Sequence, residues 1–143
     1  DIGCGSGWQT ALLADIVGTK GKIIAIERIP ELVEMTKKNI AKYKRLMHRV
    51  EILPHDGSQG FEKEAPYDKI IAAASANQIP KEWKAQLKEK GIIVASVEES
   101  IVRLRKTSEK TFEKQEFHGF RFVPLIPGLS TEGNVDKAET DRI

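Results

Sequence analysis

The sequence predicts an α/β fold, doubly wound around a mainly parallel sheet with an antiparallel addition at one edge. Three observations predict it. Short β-branched runs, Ile23-Ile24-Ala25-Ile26 and Ile92-Ile93-Val94-Ala95, alternate with stretches of helical spacing, as in parallel sheets covered on both faces. A glycine run, Gly3-Cys4-Gly5-Ser6-Gly7, stands where a strand would turn into a helix. The last apolar runs succeed one another with no helical stretch between them, which suits antiparallel strands at an edge.

Taken in order, Trp8 to Val17 reads as a short helix leaving the glycine run, and Gly18-Thr19-Lys20-Gly21 as a turn. Lys22 to Glu27 is a buried strand by its β-branched content. Pro30 suits the first position of the next helix. Glu31 and Glu34 near its start, and Lys42, Lys44 and Arg45 near its end, complement the helix dipole. Leu32, Val33, Ile40, Tyr43 and Met47 give that helix one apolar face. Val50 to Leu53 is a strand stopped by Pro54, and Gly57 and Gly60 mark the loop after it. Lys69 to Ala74 is the next strand, Pro80 to Leu87 a helix, and Ile92 to Val97 a strand. Glu98 to Ser100 reads as a turn, Ile101 to Arg105 as a strand near the edge, and Phe117 to Leu125 as the last strand. One domain is expected over residues 1–127, with 128–143 a polar, mobile tail lacking apolar periodicity. The chain opens at Asp1, directly on the glycine run, with no residues ahead to form the strand such a loop follows, so an incomplete N-terminal part is expected.

The composition narrows the function. The 143 residues suit a single domain, and 40% hydrophobic residues can build a core. A net charge of +2 lacks the basic excess of a nucleic-acid binder. The lone Cys4 excludes an internal disulfide and suits a reducing, cytoplasmic setting. No apolar run approaches the roughly 18 residues of a membrane span. A monomer with neither nucleic-acid nor membrane partners is the expectation.

The glycine run carries the first chemical signal. Its spacing is G-x-G-x-G, whereas a dinucleotide fingerprint is G-x-G-x-x-G. That difference favours a nucleoside ligand without a pyrophosphate over an NAD-type cofactor. Glu27 ends the second strand, twenty positions beyond Gly7, where a carboxylate can accept hydrogen bonds from ribose hydroxyls. Arg28 beside it either flanks an adenine or is a solvated surface arginine. Asp56, in His55-Asp56-Gly57, sits at a strand's C-terminal end and could accept a bond from an adenine amino group. A His-Asp pair can also ligate a metal, but no further ligand cluster supports one, and no metal is expected.

Asp1-Ile2-Gly3-Cys4-Gly5-Ser6-Gly7-Trp8-Gln9-Thr10-Ala11 resembles the first motif of S-adenosylmethionine-dependent methyltransferases. Its Trp8-Gln9-Thr10-Ala11 extension resembles the protein-L-isoaspartate (D-aspartate) O-methyltransferases in particular. Further matches follow in the same order: Ile26-Glu27-Arg28-Ile29, Asp56-Gly57-Ser58-Gln59-Gly60, Ala65-Pro66-Tyr67-Asp68-Lys69-Ile70, Ile79-Pro80, Gln86 to Gly91, and Arg121-Phe122-Val123-Pro124-Leu125. The resemblance spans residues 1 to 127. It implies a Rossmann-like methyltransferase fold that uses S-adenosyl-L-methionine and releases S-adenosyl-L-homocysteine. Asp1, Gly3, Gly5 and Gly7 would shape the methionine side of the pocket. Glu27 would hold the ribose, Asp56 with Gly57 would meet the adenine, and Arg28 counts with them as cofactor-binding. The small run Ala73-Ala74-Ser75-Ala76, Ala74 and Ser75 above all, with Val123, Pro124 and Leu125, would wall in an isoaspartyl residue of a damaged protein or peptide. The chain departs from the family in two places. It lacks the Ser/Thr-x-Pro-His segment that the family carries well before its glycine loop, and Ile126-Pro127-Gly128 replaces the polar groups that often follow.

A carboxylate acceptor titrates near about 4 and is ionised at neutral pH, so the implied methyl transfer needs no general base. No catalytic residue is assigned, in keeping with the lack of a Ser-His-Asp or Cys-His set. The resemblance further implies that the methyl ester cyclises to a succinimide, which reopens partly to normal aspartate. Two alternatives stay open: a methyltransferase for another substrate, and a fragment of this fold that binds an adenosyl ligand without activity.

Overall fold

The computed structural model describes residues 1–130. Its elements run α1 (Trp8–Ile16), β1 (Ile23–Glu27), α2 (Pro30–Ala41), α3 (Lys44–Met47), β2 (Val50–Pro54), β3 (Tyr67–Ala76), α4 (Lys81–Ala85), β4 (Leu87–Val97), β5 (Ser100–Lys106) and β6 (Phe112–His118). Two 3-10 turns, Gly57–Gln59 and Glu62–Glu64, lie between β2 and β3. The expected tail falls outside the described residues from 131 onward.

β1 pairs in parallel with β2, and β3 in parallel with β4. β5 and β6 add antiparallel to β4, which is the expected edge addition. Ile2 joins the two sets, forming single parallel bridges to Ile26 and to Ala72. The sheet therefore reads β2-β1-Ile2-β3-β4-β5-β6. Asp1 to Gly3 supply that central rung from both sides: Ile2 N–H donates to Ile71 O, Ala73 N–H to Ile2 O, Ile26 N–H to Asp1 O and Gly3 N–H to Ile26 O, all within 3.1 Å. Ile2, directly ahead of the glycine run, thus holds a strand position between β1 and β3.

One core gathers Ile70, Ala72, Ile93, Ala95, Val102 and Leu104 of the sheet with Trp83, Ile79 and Leu87. Trp83 is fully buried, and its Nε1–H donates to Gly57 O at 2.8 Å, which ties α4 to the loop after β2. A second, smaller cluster packs Ala14 of α1 against Ile23 and Leu46. Burying apolar surface of this kind contributes about 25 cal/mol per Å².

Three local expectations are corrected. The single helix from Pro30 to Met47 is two, broken at Tyr43, where φ −114° and ψ 77° leave the helical region. The break turns the second piece, so Leu46 is buried while Tyr43 and Met47, placed by the spacing on the apolar face, are about half exposed. The helix from Pro80 ends at Ala85, and Leu87 already belongs to β4. β5 lies near the edge as expected, with β6 alone outside it. The last strand is Phe112–His118 and not Phe117 to Leu125: Gly119, at φ 92°, turns the chain out of the sheet, and only Pro124 returns to pair, with Ser75. Charged and polar side chains from Glu113 to Glu116 populate that edge strand, which disguised it as a loop and suits an edge exposed to water.

Candidate functional site

The C-terminal ends of β1 and β3 and the glycine run enclose a hollow of about 170 Å³. Gly3, Gly5, Glu27, Arg28, Gly57, Ala74, Val123, Pro124 and Leu125, all singled out in the sequence, line it. This is where open α/β sheets bind ligands.

Each wall has a local cause. Gly5 sits at φ 54°, and a Cβ built on it would meet no atom within 4 Å, so the bare backbone faces open space. Glu27 is buried at 6% exposure. Its Oε1 accepts from Arg28 N–H at 2.8 Å and Ile29 N–H at 3.1 Å, and its Oε2 from Gly5 N–H at 3.0 Å. A carboxylate offers about four acceptor positions. Three are taken by main chain, and the fourth, on Oε2, is left for a hydroxyl. Glu27 therefore does two things: it clamps the glycine run to the end of β1 and presents an acceptor to the hollow. Gly57 forms a floor, since a Cβ there would fall 2.6 Å from Ile2 Cγ2. On the opposite side Ser75 N–H donates to Val123 O at 2.6 Å and Leu125 N–H to Ser75 O at 2.7 Å, which lays 123–125 along the end of β3.

Ala76, the last residue of β3, and four other singled-out residues stand outside the lining. Asp1 points at α1: Gln9 Nε2 donates to its Oδ1 at 2.9 Å and the Thr10 hydroxyl donates to its Oδ2. Asp1 thereby orients the helix that leaves the loop. Gly7 is the N-cap of α1 at φ 81°, and a Cβ there would lie 2.9 Å from Thr36 Cγ2, so its role is close approach of loop and α2. Ser75 turns its hydroxyl to Glu98 O at 3.1 Å. Asp56 caps the turn after β2, its Oδ1 accepting from Ser58 N–H at 2.9 Å and Ser58 Oγ–H at 2.7 Å, and its Oδ2 from Gly128 N–H at 2.8 Å. Burial raises the Asp56 carboxyl, but the Gly128 N–H and the two Ser58 donors outweigh it and hold the group below its ordinary value. It is an anion beside the hollow, one residue from the lining.

Ala73, from the small run at the end of β3, also lines the hollow, as do Ile29, Leu32 and Ile126, which were not assigned a site role. Ile29 stands in a quoted motif and could have been picked out there, whereas nothing in the spacing distinguishes Ile126 from a packing residue. Among the described residues no three His, Cys, Asp or Glu side chains gather as metal ligands would. Among the described residues no helix is long and apolar enough to cross a membrane.

The family model described as protein-L-isoaspartate(D-aspartate) O-methyltransferase (PCMT) matches residues 1–130. Among similar proteins, the Archaeoglobus fulgidus protein named protein-L-isoaspartate O-methyltransferase 2 is 43% identical over 129 residues, covering 87% of this chain and 58% of that protein. The Pyrococcus horikoshii protein-L-isoaspartate O-methyltransferase is 39% identical over 131 residues, with 88% and 58% covered. A solved Plasmodium falciparum protein-L-isoaspartate O-methyltransferase, in complex with S-adenosyl-L-homocysteine, superposes with a TM-score of 0.78 at 26% identity, covering 88% of this chain and 64% of that one. The chain spans 58% of the length of these two curated relatives. With a family model matched over all described residues and a hollow walled by the family's motifs, the chain belongs to the protein-L-isoaspartate(D-aspartate) O-methyltransferase family.

Proposed function

We propose that the protein of which this chain is part transfers a methyl group from S-adenosyl-L-methionine to the free carboxylate of L-isoaspartyl and D-aspartyl residues in damaged proteins, in the cytoplasm. One observation carries the reading: acceptor, bare backbone and apolar wall converge on one hollow, with Glu27 and Gly5 on one side and Ala74 with Val123 to Leu125 on the other. The donor set suits an adenosyl sulfonium. Glu27 has an acceptor for a ribose hydroxyl, Asp56 is an anionic acceptor at the edge, and Gly5 leaves room against the main chain.

When bound, the cofactor supplies a methyl group already activated on a positively charged sulfur. The residues of this chain add position. Glu27 and Gly5 fix the loop that sets the ligand's depth, while Ala74, Val123, Pro124 and Leu125 offer an apolar wall beside the acceptor carboxylate. Orientation of this kind supplies roughly 7–11 kcal/mol in favourable cases. An ionised acceptor needs no proton removed, which fits a lining whose only carboxylate, Glu27, is occupied by backbone amides.

Two measurements test the reading. Calorimetric titration of the 143-residue chain with S-adenosyl-L-homocysteine should give saturable heat, and NAD none. Labelled methyl transfer, with the flanking polypeptide restored, should favour an isoaspartyl peptide over its aspartyl twin. Absence of S-adenosyl-L-homocysteine binding would sink the adenosyl reading, and equal transfer to both peptides would sink the repair reading.

A further inference from the structure

Beyond Pro124 the chain does not leave the site. It crosses the hollow and is fastened on the far side. Gly128 N–H donates to Asp56 Oδ2 at 2.8 Å, Arg28 Nε–H donates to Gly128 O at 3.0 Å, and Ser130 N–H donates to Arg28 O at 3.1 Å. Residues 123–130 thus connect the ends of three strands: β3 through Ser75, β2 through Asp56 and β1 through Arg28. Ser58 holds Asp56 Oδ1 twice and Gly128 holds Oδ2 once, so the strap shares the one oxygen on which an adenine amino group could be received. The hollow beneath it, about 170 Å³, is smaller than the roughly 300–1,000 Å³ of small-molecule sites. The wall that can give is this one, since the floor is strand ends and the buried Glu27 clamp.

We propose that residues 126–130 are a latch: the Gly128–Asp56 hydrogen bond opens to admit the adenosyl ligand, whose exocyclic amine then takes Gly128's place on Asp56 Oδ2. The inference rests on the adenosyl reading above. Exchange of one N–H donor for another leaves Asp56 satisfied in both states, so the latch opens without stranding a carboxylate. Binding is weakened only by the fraction of molecules that are latched.

Gly128 offers a clean perturbation. It sits at φ 87°, where an L side chain is strained, and a Cβ there would meet nothing within 4 Å. Gly128→Ala therefore disfavours the latched backbone without a clash and without removing any group that touches ligand. The left-handed penalty corresponds to a shift of the latch equilibrium of about 5-fold or more.

The test combines that variant with the unaltered 143-residue chain, using S-adenosyl-L-homocysteine as the probe. Gly128→Ala should bind it about 5-fold more tightly, mainly through faster association in stopped flow. In the unaltered chain, hydrogen exchange followed by NMR should show a protected Gly128 amide that loses protection at saturation. Equal or weaker binding by Gly128→Ala overturns the latch. So does heat of binding with the Gly128 amide still protected, a result available even if the variant fails to fold. No heat at all in the unaltered chain overturns the adenosyl reading and the latch with it.

Discussion

Glu27→Ala puts the double duty of one carboxylate to the test. The side chain accepts from Gly5 N–H, Arg28 N–H and Ile29 N–H at 2.8 to 3.1 Å, in a residue only 6% exposed. Truncation strands three main-chain donors where strand, loop and helix start meet. A buried donor left unpaired costs about 1–3 kcal/mol. Water entering the vacated space favours the low end, so the sum is about 3 kcal/mol, a large share of a domain stability of roughly 5–15 kcal/mol. With a urea m-value of about 2 kcal/mol/M, the midpoint should fall by about 1.5 M. Glu27→Gln keeps one acceptor oxygen and should lose about half as much, yet bind S-adenosyl-L-homocysteine at least ~10-fold more weakly, because the remaining oxygen is drawn to the amides. Urea denaturation followed by circular dichroism reads the first effect and calorimetry the second. A midpoint unchanged within ~0.3 M in Glu27→Ala would refute the clamp.

Trp83→Phe removes the bond to Gly57 O under the floor of the hollow and should cost about 1–3 kcal/mol, read as a lower Tm; an unchanged Tm would show that bond to be idle. Asp56 gives a pH signature. Its folded carboxyl lies below the ordinary 3.8, so the stability it adds is present above that value and is lost as pH falls through the folded value. The stability gap between the parent chain and Asp56→Asn should accordingly hold steady near neutral pH and close below about pH 3.8, and a gap independent of pH down to about 3 contradicts the assignment. Lys106 is buried with its ammonium donating to Leu87 O at 2.8 Å and Lys84 O at 3.3 Å, so Lys106→Met should lower Tm while leaving ligand affinity alone. A Lys106→Met chain more stable than the parent would mean that desolvating the ammonium costs more than its two bonds return.

Part of the lining of the candidate hollow was legible because it is tied to chain positions. Gly5 and Glu27 were marked by a glycine run and a strand end, and both features are local. What each group does there was not legible. Asp1 serves α1 and Gly7 serves the approach of α2, since their partners, Thr10 and Thr36, are fixed by packing rather than by spacing. The strand at Phe112–His118 escaped notice because pairing with β5, and not side-chain hydrophobicity, makes it a strand. The break at Tyr43 was hidden for a related reason. A helical pattern can continue by chance across a turn, and only burial of Leu46 in place of Met47 reveals the rotation. The latch could not be foreseen at all, because Gly128 meets Asp56 across 72 positions of sequence.

Trp83 Nε1–H to Gly57 O, Gln86 Nε2–H to Gln59 O and Gly128 N–H to Asp56 Oδ2 join the β3–β4 side of the molecule to the loop after β2. The hollow lies between the same two groups: Glu27, Arg28, Ile29 and Leu32 stand on one flank, Ala73, Ala74 and Val123 to Ile126 on the other. A molecule lodged there touches both flanks at once, so whatever free energy it gains by binding the folded chain is also added to the stability of that chain.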